Sequence, residues 1–468
     1  MKQQRREKDS LGSVAVPAQA YYGVQTMRAL SNFPVSGEKN HPSLIRSYVF
    51  VKKACAMTNR ELGVLDTKRA AAIVHACDAV LDGGYADQFV IDKYQAGAGT
   101  SLNMNVNEVI ANIALEHLGH PRGGYGFLSP NDHVNMSQST NDTFPTTAHI
   151  ALLLDMAKLI HALRGLESGL LKKAQAFRTI LKSGRTHLQD AVPVTLGQEF
   201  HAYAETVHKT ISMMKDVTGT PHTPTLLEIP IGGTATGTGI NTPRGYRRTV
   251  IKNLRRLTGL ALVPSRDTRE GLQSRLAMSH ASGILSALAL ELIRIANDLR
   301  LLSSGPVTGL AEINLPAVQP GSSIMPGKAN PVMAEALDMI CFRVVGNSLT
   351  VSMAEQAGQL ELNVMMPVMA NTLLESVNLL ANFLPVFTHK AVDGITANRK
   401  RLRHYFTHTP AIATVLNTRI GYLNAAGVVK QAASENRPVT DVILEKGLLT
   451  REQLRALLSL HGITDRIK

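Results

Sequence analysis

Along the middle of this chain, apolar residues return with the period of an α-helix. Ile284, Leu288, Leu292, Ile295, Leu299 and Leu302 follow one another at spacings of 4, 4, 3, 4 and 3, which places all six on one helical face. Leu285, Ala289 and Ile293 widen that face. A helix over residues 274–303, roughly 45 Å long at 1.5 Å per residue, therefore needs cover on several sides. Long helical patterns also span residues 146–177, 194–217, 331–356 and 367–391. Together the five describe a helical bundle whose apolar surface is completed by association with further copies.

Shorter helices are predicted over residues 43–62 and 70–81, and a third follows the glycine-rich loop GAGTS at residues 97–101. Thr100 and Ser101 fall at or just before its N-terminus, where a hydroxyl can cap free backbone N–H groups. A second polar cluster, NMSQSTND at residues 135–142, precedes a long helix; Asn141 or Asp142 can cap it, and Pro145 fits its first turn. Thr186 and His187 lie ahead of the 194–217 helix, where Thr195 and Gln198 have capping-box spacing, and Thr450 and Gln453 repeat that spacing near the C-terminus. The glycines of IGGTATGTGINTP, residues 231–243, lack the dinucleotide-binding pattern and read as turn punctuation.

Composition narrows the class. With 44% apolar residues, 4% aromatics and no tryptophan, the chain suits helices packed on helices rather than a β-sandwich. The length suggests about three domains, which the element pattern divides at 1–142, 143–395 and 396–468. Cys55, Cys77 and Cys341 are far apart with no C-x-x-C pair, which argues for reduced thiols and against disulfides or structural zinc. The opening MKQQRREKDS has no apolar run behind it, and Glu291 and Arg294 cut the most apolar run, 284–290, short of a bilayer span. A cytoplasmic protein with no membrane partner is the expectation. The formal net charge of +13 gathers in RGYRRTVIKNLRR, residues 244–256, and RKRLR, residues 399–403. Without a helix-turn-helix, RNP or zinc-finger pattern beside them, solvated helix faces or a field that gathers a small dianion are favoured over specific nucleic-acid binding.

The densest chemistry lies in GSSIMPGKANPV, residues 321–332. Asn330 followed by Pro331 reads as an N-cap and first helical residue, so the loop ends on a helix N-terminus with Lys328 beside it. Free N–H groups, a partial positive charge and a full one suit a carboxylate or phosphate; a plain capped surface loop is the alternative. It is not a phosphate-cradling P-loop, because five residues separate Gly321 from Gly327 and Ala329 stands where a metal-binding hydroxyl is required.

Taken together, GAGTS, SQSTND, GRTHLQD and GSSIMPGKANP, in this order, resemble the signature blocks of the aspartase/fumarase superfamily over nearly the whole chain. Thr140 in SQSTND, GAGTSLNMN at residues 97–105, NPVM after Lys328 and AGQLELNVM at residues 357–365 resemble the aspartase branch, whereas NDTFPT and LNTRIGY are similar to fumarases. The resemblance implies an all-α, three-domain fold whose five-helix central bundle builds a twenty-helix homotetramer core, with each active site shared by three subunits. It implies cofactor-free, reversible elimination of ammonia from L-aspartate, leaves activation by a divalent cation such as magnesium open, and makes a small dicarboxylate the partner. Class II fumarase, and a silent structural or binding homologue, are the alternatives.

By the same resemblance Ser322 is the base, on a mobile loop. Lys328 and Asn330 hold the α-carboxylate; Thr100, Ser139, Thr140 and Ser323 hold the β-carboxylate. Asn141, Thr186 and His187 surround the amino group, with His187 the second catalytic candidate, although aspartases vary between His and Gln there. Glu335 is expected to support His187, and Gly321 and Gly327 to shape the loop. A serine alkoxide needs stabilisation, which consecutive loop N–H groups can provide. The chain departs from the pattern at Val307, where an arginine is expected, at Met366 for glutamate and at Ala329 for valine.

Overall fold

The apolar stripe of the longest-spaced pattern is buried throughout: Ile284, Leu288, Leu292, Ile295, Leu299 and Leu302 are each at most 6% exposed. They lie on a helix that the computed structural model, which describes residues 3–219 and 225–459, places at Leu276–Leu302. In chain order the first helices are α1 (Val24–Asn32), α2 (Pro42–Glu61), α3 (Thr67–Leu81) and α4 (Thr100–His117). The long ones are α5 (Thr140–Ala176), α6 (Leu196–Gly219), α9 (Leu276–Leu302), α10 (Val332–Gln356) and α11 (Met366–Lys390), with α7 (Tyr246–Thr258) and the single turn α8 (Glu270–Gln273) between α6 and α9. The protein is mainly helical, and its strands form short two-stranded pairs.

The chain divides into two compact units, one of residues up to 160, 212–287 and 342–381, the other of 161–211, 288–341 and from 382 on. In the first, α2 packs on α3 and α7, and α3 and α1 pack on α4. Helix α4 is buried along its whole middle, residues 102–115, polar side chains included. Full burial on all faces makes the amides of this asparagine-rich helix bond to the protein interior. Asn112, for example, donates to Tyr21 O at 2.7 Å, and Glu108 accepts from the N–H groups of Gly23, Gln25 and Thr26.

In the second unit a hairpin, β3 (Leu181–Thr186) and β4 (Gln189–Thr195), stands ahead of α6. The β1 (Gln4–Asp9) and β2 (Gly12–Pro17) pair belongs to the first unit. Neither hairpin is visible as an alternating apolar pattern, since β1 reads QRREKD and β3 LKSGRT. The Thr195–Gln198 capping box is present, with Thr195 N to Gln198 Oε1 at 2.9 Å and Gln198 N to Thr195 Oγ1 at 3.1 Å. Near the C-terminus the helices α12 (Arg399–His408), α13 (Ile412–Ile420), α14 (Tyr422–Glu435), α15 (Val439–Glu445) and α16 (Arg451–Leu457) close on a small core that includes Leu416, Val428 and Val442, and Thr450 and Gln453 form the second capping box.

Helices α5 and α9 are long and apolar enough to cross a membrane by length and composition, Glu291 and Arg294 notwithstanding; 72% and 44% of their most apolar windows are buried inside the protein. Leu290 on α9 and Met339, Phe342, Leu349 and Met353 on α10 are more than half exposed, so these helices present uncovered apolar surface in a single chain. Cys55, Cys77 and Cys341 are free and buried. The first basic cluster runs into α7, whose Tyr246, Val250 and Leu254 are buried, while Arg248 on it and Arg244 just ahead of it are exposed.

Candidate active site

The first group of predicted residues gathers where α4 and α5 begin. Gly99, in the left-handed region at φ 92°, lets the chain turn into α4; a Cβ there would meet the Phe144 ring at 2.1 Å, so only glycine fits. Thr100 is thereby the first residue of α4, as its position in GAGTS suggests. Its Oγ1 lies 2.7 Å from Gly97 O and 3.1 Å from Thr140 Oγ1. Thr140, 7% exposed, also accepts from Asn103 Nδ2 at 3.0 Å.

Helix α5 begins at Thr140, six residues ahead of the 146–177 pattern, because Ser139 rather than Asn141 or Asp142 caps it. Ser139 Oγ accepts from Asn141 N at 3.2 Å, and Asp142 Oδ1 accepts in return from Ser139 N at 3.0 Å, a reciprocal capping arrangement. The other carboxylate oxygen of Asp142 accepts from Gly232 N and Thr234 N, both at 2.9 Å, while Asn141 Nδ2 donates to Ala235 O at 2.8 Å. The glycine-rich segment therefore buttresses the start of α5. Burial pushes the Asp142 carboxyl up to about 6 in spite of those three N–H donors.

The second group lies in the other unit. Thr186 ends β3 and Gln189 begins β4, so His187 and Leu188 form the hairpin's two-residue turn, both with positive φ (54° and 60°). That is the backbone of a type I′ turn, ordinarily an Asn-Gly position. Two side-chain-bearing residues held there are strained, which sets an exposed Thr186 and His187 at a hairpin tip rather than at a helix start. Below the tip the hairpin is braced by charge. Lys182, 0% exposed, pairs with Glu199 at 2.7 Å and Glu312 at 2.5 Å; Arg185 pairs with Glu312 at 2.7 Å and lies 5.3 Å from the Tyr405 ring centre.

The 321–330 loop is closed at its base and free at its tip. Gly321 N donates to Lys328 O at 2.8 Å, and Asn330 Nδ2 donates to Gly321 O at 2.7 Å, so the Asn330 amide ties the loop shut just ahead of α10. A Cβ on Gly321 would meet Lys328 O at 2.5 Å, whereas Gly327, at φ 78°, has open space around it. Ser322 Oγ accepts from Met325 N at 2.9 Å and Ile324 N at 3.2 Å. Two N–H dipoles aimed at one hydroxyl oxygen favour its anionic form. Ser323 and Lys328 are exposed, and among the described residues Lys328 forms no ion pair. Glu335 sits half-buried in the first turn of α10.

Thus Thr100 and Thr140 touch, Ser139 and Asn141 flank them in the chain, and Ser322, Ser323, Lys328 and Asn330 share one loop. Among the described residues of a single chain, no hydrogen bond or ion pair joins the hairpin tip to that loop, or His187 to Glu335. Nor does any group of three His, Cys, Asp or Glu side chains have an arrangement suited to a metal ion among those residues. Lys52 and Asn103 lie directly beneath Thr140; Asn103 falls inside the GAGTSLNMN block without having been singled out, and for Lys52 a lysine inside the apolar run YVFVKKACAM was the one available signal.

Two family models match the chain, one described as lyase over residues 12–346 and one as fumarase C C-terminus over residues 412–465. The aspartate ammonia-lyase of Escherichia coli is 48% identical over 463 residues, 98% of this chain and 96% of that one. The aspartate ammonia-lyase of Helicobacter pylori is 46% identical over 452 residues, 96% of each chain. Among solved structures, the fumarate lyase:delta crystallin of Brucella melitensis bound to cobalt superposes with a TM-score of 0.94 at 46% identity, covering 98% of this chain and 99% of that one. The recombinant class II fumarase of Schistosoma mansoni superposes with a TM-score of 0.93 at 36% identity over the full length of both.

Proposed function

The chain belongs to the lyase family, and on that premise we propose that it is a carbon–nitrogen lyase converting L-aspartate reversibly to fumarate and ammonia. The observation that carries the reading is the Ser322 hydroxyl, which accepts two backbone N–H groups at 2.9 and 3.2 Å on a loop otherwise free at its tip. The higher identity to aspartate ammonia-lyases, 46–48% against 36% for the class II fumarase, favours ammonia over water as the leaving group.

In this scheme Lys328 and Asn330 hold the α-carboxylate, and Thr100, Ser139, Thr140 and Ser323 hold the β-carboxylate. The Ser322 alkoxide removes a proton from C3. The C–H electron pair passes into the β-carboxylate, which becomes a doubly charged aci-carboxylate, and preorganised donors facing that group lower the barrier most. The pair then returns to form the C2–C3 double bond while the C2–N bond breaks, and nitrogen leaves with its electrons as ammonia. Asn141, Thr186 and His187 surround the departing nitrogen, with Glu335 supporting His187. No step runs through a cofactor or a metal, and the response of kcat to added magnesium decides whether a divalent cation activates the enzyme.

The exposed apolar faces of α9 and α10 support a homotetramer with a helical core. In it the site is assembled from the Thr140 region, the hairpin tip and the Ser322 loop of three subunits. Buried free thiols support the cytoplasm as its compartment. The test is fumarate absorbance with purified protein given L-aspartate or L-malate. Signal from aspartate alone, reduced by about a thousandfold or more in a folded Ser322→Ala protein, is the expected outcome. Signal from malate alone makes the protein a fumarase, and silence from both substrates overturns the lyase reading.

A further inference from the structure

Beneath Thr140 lies a buried cation that the scheme above does not use. Lys52, on α2, is 0% exposed. Its ammonium donates to three neutral amide oxygens: Asn103 Oδ1 at 2.6 Å, Gln138 Oε1 at 2.9 Å and Asn135 Oδ1 at 3.0 Å. Among the described residues no carboxylate forms an ion pair with it. The ionisable groups around it are Asp142, whose carboxylate is taken up by three backbone N–H groups, the buried thiols Cys55 and Cys77, and Tyr48, whose ring centre is 5.4 Å away. Burial pulls Lys52 down to about 7, with Cys55, Asp142 and Cys77 acting in the other direction.

Asn103 faces both ways. Its carbonyl oxygen takes the ammonium, and its Nδ2 donates to Thr140 Oγ1 at 3.0 Å, which in turn lies 3.1 Å from Thr100 Oγ1. A cation on one end of an amide strengthens the donor at the other, and a hydroxyl that accepts a stronger hydrogen bond donates a stronger one. The ammonium also acts directly, since its field is weakly screened in a buried setting. Three amide oxygens on one nitrogen call for three N–H donors, which an ammonium has and a neutral amine, with two, does not, so the site holds the charged form at the cost of burying it. What a charge adds is attraction for an anion above the amide layer.

We propose that Lys52 is a positioning residue for the anion site: its unpaired ammonium, relayed through Asn103 and Thr140, supplies the positive charge against which the doubly charged intermediate forms. The inference rests on the reading that Thr100 and Thr140 face the β-carboxylate.

Asn135→Asp tests it. Asn135 Oδ1 accepts from Lys52, Asn103 and Asn107, so an aspartate keeps those bonds while placing a negative charge against the ammonium. The expected result is a folded protein, melting at or above the wild-type temperature, whose kcat falls at least thirtyfold while KM for aspartate changes less than fivefold, because the charge matters most to the dianion. Lys52→Met should show the same split where it folds. A folded Asn135→Asp protein with kcat within threefold of wild type overturns the proposal and leaves Lys52 a structural tie. Where Asn135→Asp fails to fold, its second carboxylate oxygen standing against Gln138 O where Asn135 Nδ2 donates at 3.4 Å, the Lys52→Met protein decides by the same criterion. Calorimetric titration of both proteins with succinate, an unreactive dicarboxylate, separates the two levels of inference. Wild-type inactivity on aspartate defeats the lyase reading, whereas succinate affinity that falls in Asn135→Asp as steeply as kcat places the charge in ground-state binding and defeats the role of Lys52 at the doubly charged intermediate.

Discussion

Around Thr140 every layer has another layer beneath it, from hydroxyl to amide to buried ammonium, while around Ser322 the loop bonds only to itself. The Thr140 region is fixed by contacts between α2, α4 and α5 that are far apart in sequence. The Ser322 loop is fixed by two bonds at its base and two N–H groups on one oxygen. On the proposed reading the difference is a division of labour: one region is preorganised to meet charge, and the other would carry the base on a segment whose tip makes no hydrogen bond beyond the loop among the described residues. Preorganised donors need rigidity, and a loop that admits substrate needs a low-stability element.

If that contrast is right, stability should depend on pH through the buried region and not through the loop. His149, on α5, is buried with Nδ1 2.8 Å from Glu228 O, and burial, aided by the charge of Arg275, pulls its pKa down to about 4. Its folded pKa is depressed, so between 6.5 and 4 the unfolded chain binds more protons. The stability it confers is complete above 6.5 and is lost as pH falls toward 4, on the order of 3 kcal/mol over the whole window. Asp142, raised to about 6, works in the opposite sense, favouring the folded state as pH falls from 6 toward its unfolded value. The difference between wild type and His149→Gln isolates the histidine: urea midpoints measured from pH 7 to pH 4.5 should fall more steeply in wild type. Parallel profiles would show that the buried region is not the pH-sensitive one.

What could be read in the sequence was what is local. The α9 stripe repeats every three or four residues, the Thr195–Gln198 and Thr450–Gln453 boxes are three residues apart, and Thr100 follows a glycine that only the loop-to-helix turn explains; all were legible because cause and effect lie within one turn of helix. The start of α5 was misplaced because Ser139 competes with Asn141 and Asp142 as a cap, and the choice is made by Gly232 and Thr234, ninety residues away, which occupy Asp142. The hairpin tip escaped notice because His187 and Leu188 adopt a turn that neither residue type favours. Lys52 escaped because its role exists only once α2, α4 and the 135–138 turn meet.

A smaller effect tests the rigid side of the comparison at its chemical end. Thr140→Val keeps the volume of the side chain, removes the hydroxyl and leaves Asn103 Nδ2 only its longer bond to Asn135 Oδ1 at 3.3 Å. Loss of one charge-facing hydrogen bond together with the shorter of the two bonds made by Asn103 Nδ2 should lower kcat/KM for aspartate by about 30-fold, roughly 2 kcal/mol. Thr140→Ser, which keeps the hydroxyl, should recover most of it. If the valine variant matches wild type, Thr140 belongs to the scaffold and the anion lies elsewhere.

The smallest expected change lies on the mobile side and depends on a contrast between two glycines of one loop. At Gly327 an added Cβ meets nothing within 4 Å, so alanine there costs only the strain of φ 78°, about 1 kcal/mol. At Gly321 the same atom meets Lys328 O at 2.5 Å and Asn330 N at 2.7 Å, at the point where the loop is tied shut. Gly327→Ala should therefore slow turnover only a few-fold and leave the melting temperature unchanged, because the residue lies outside the packed units' cores. Gly321→Ala should open the base of the loop and cost much more in kcat, again with little change in melting. Were Gly327→Ala to lower the melting temperature by several degrees, the loop would have to be part of the rigid framework, and the contrast between a fixed anion site and a movable base would fail.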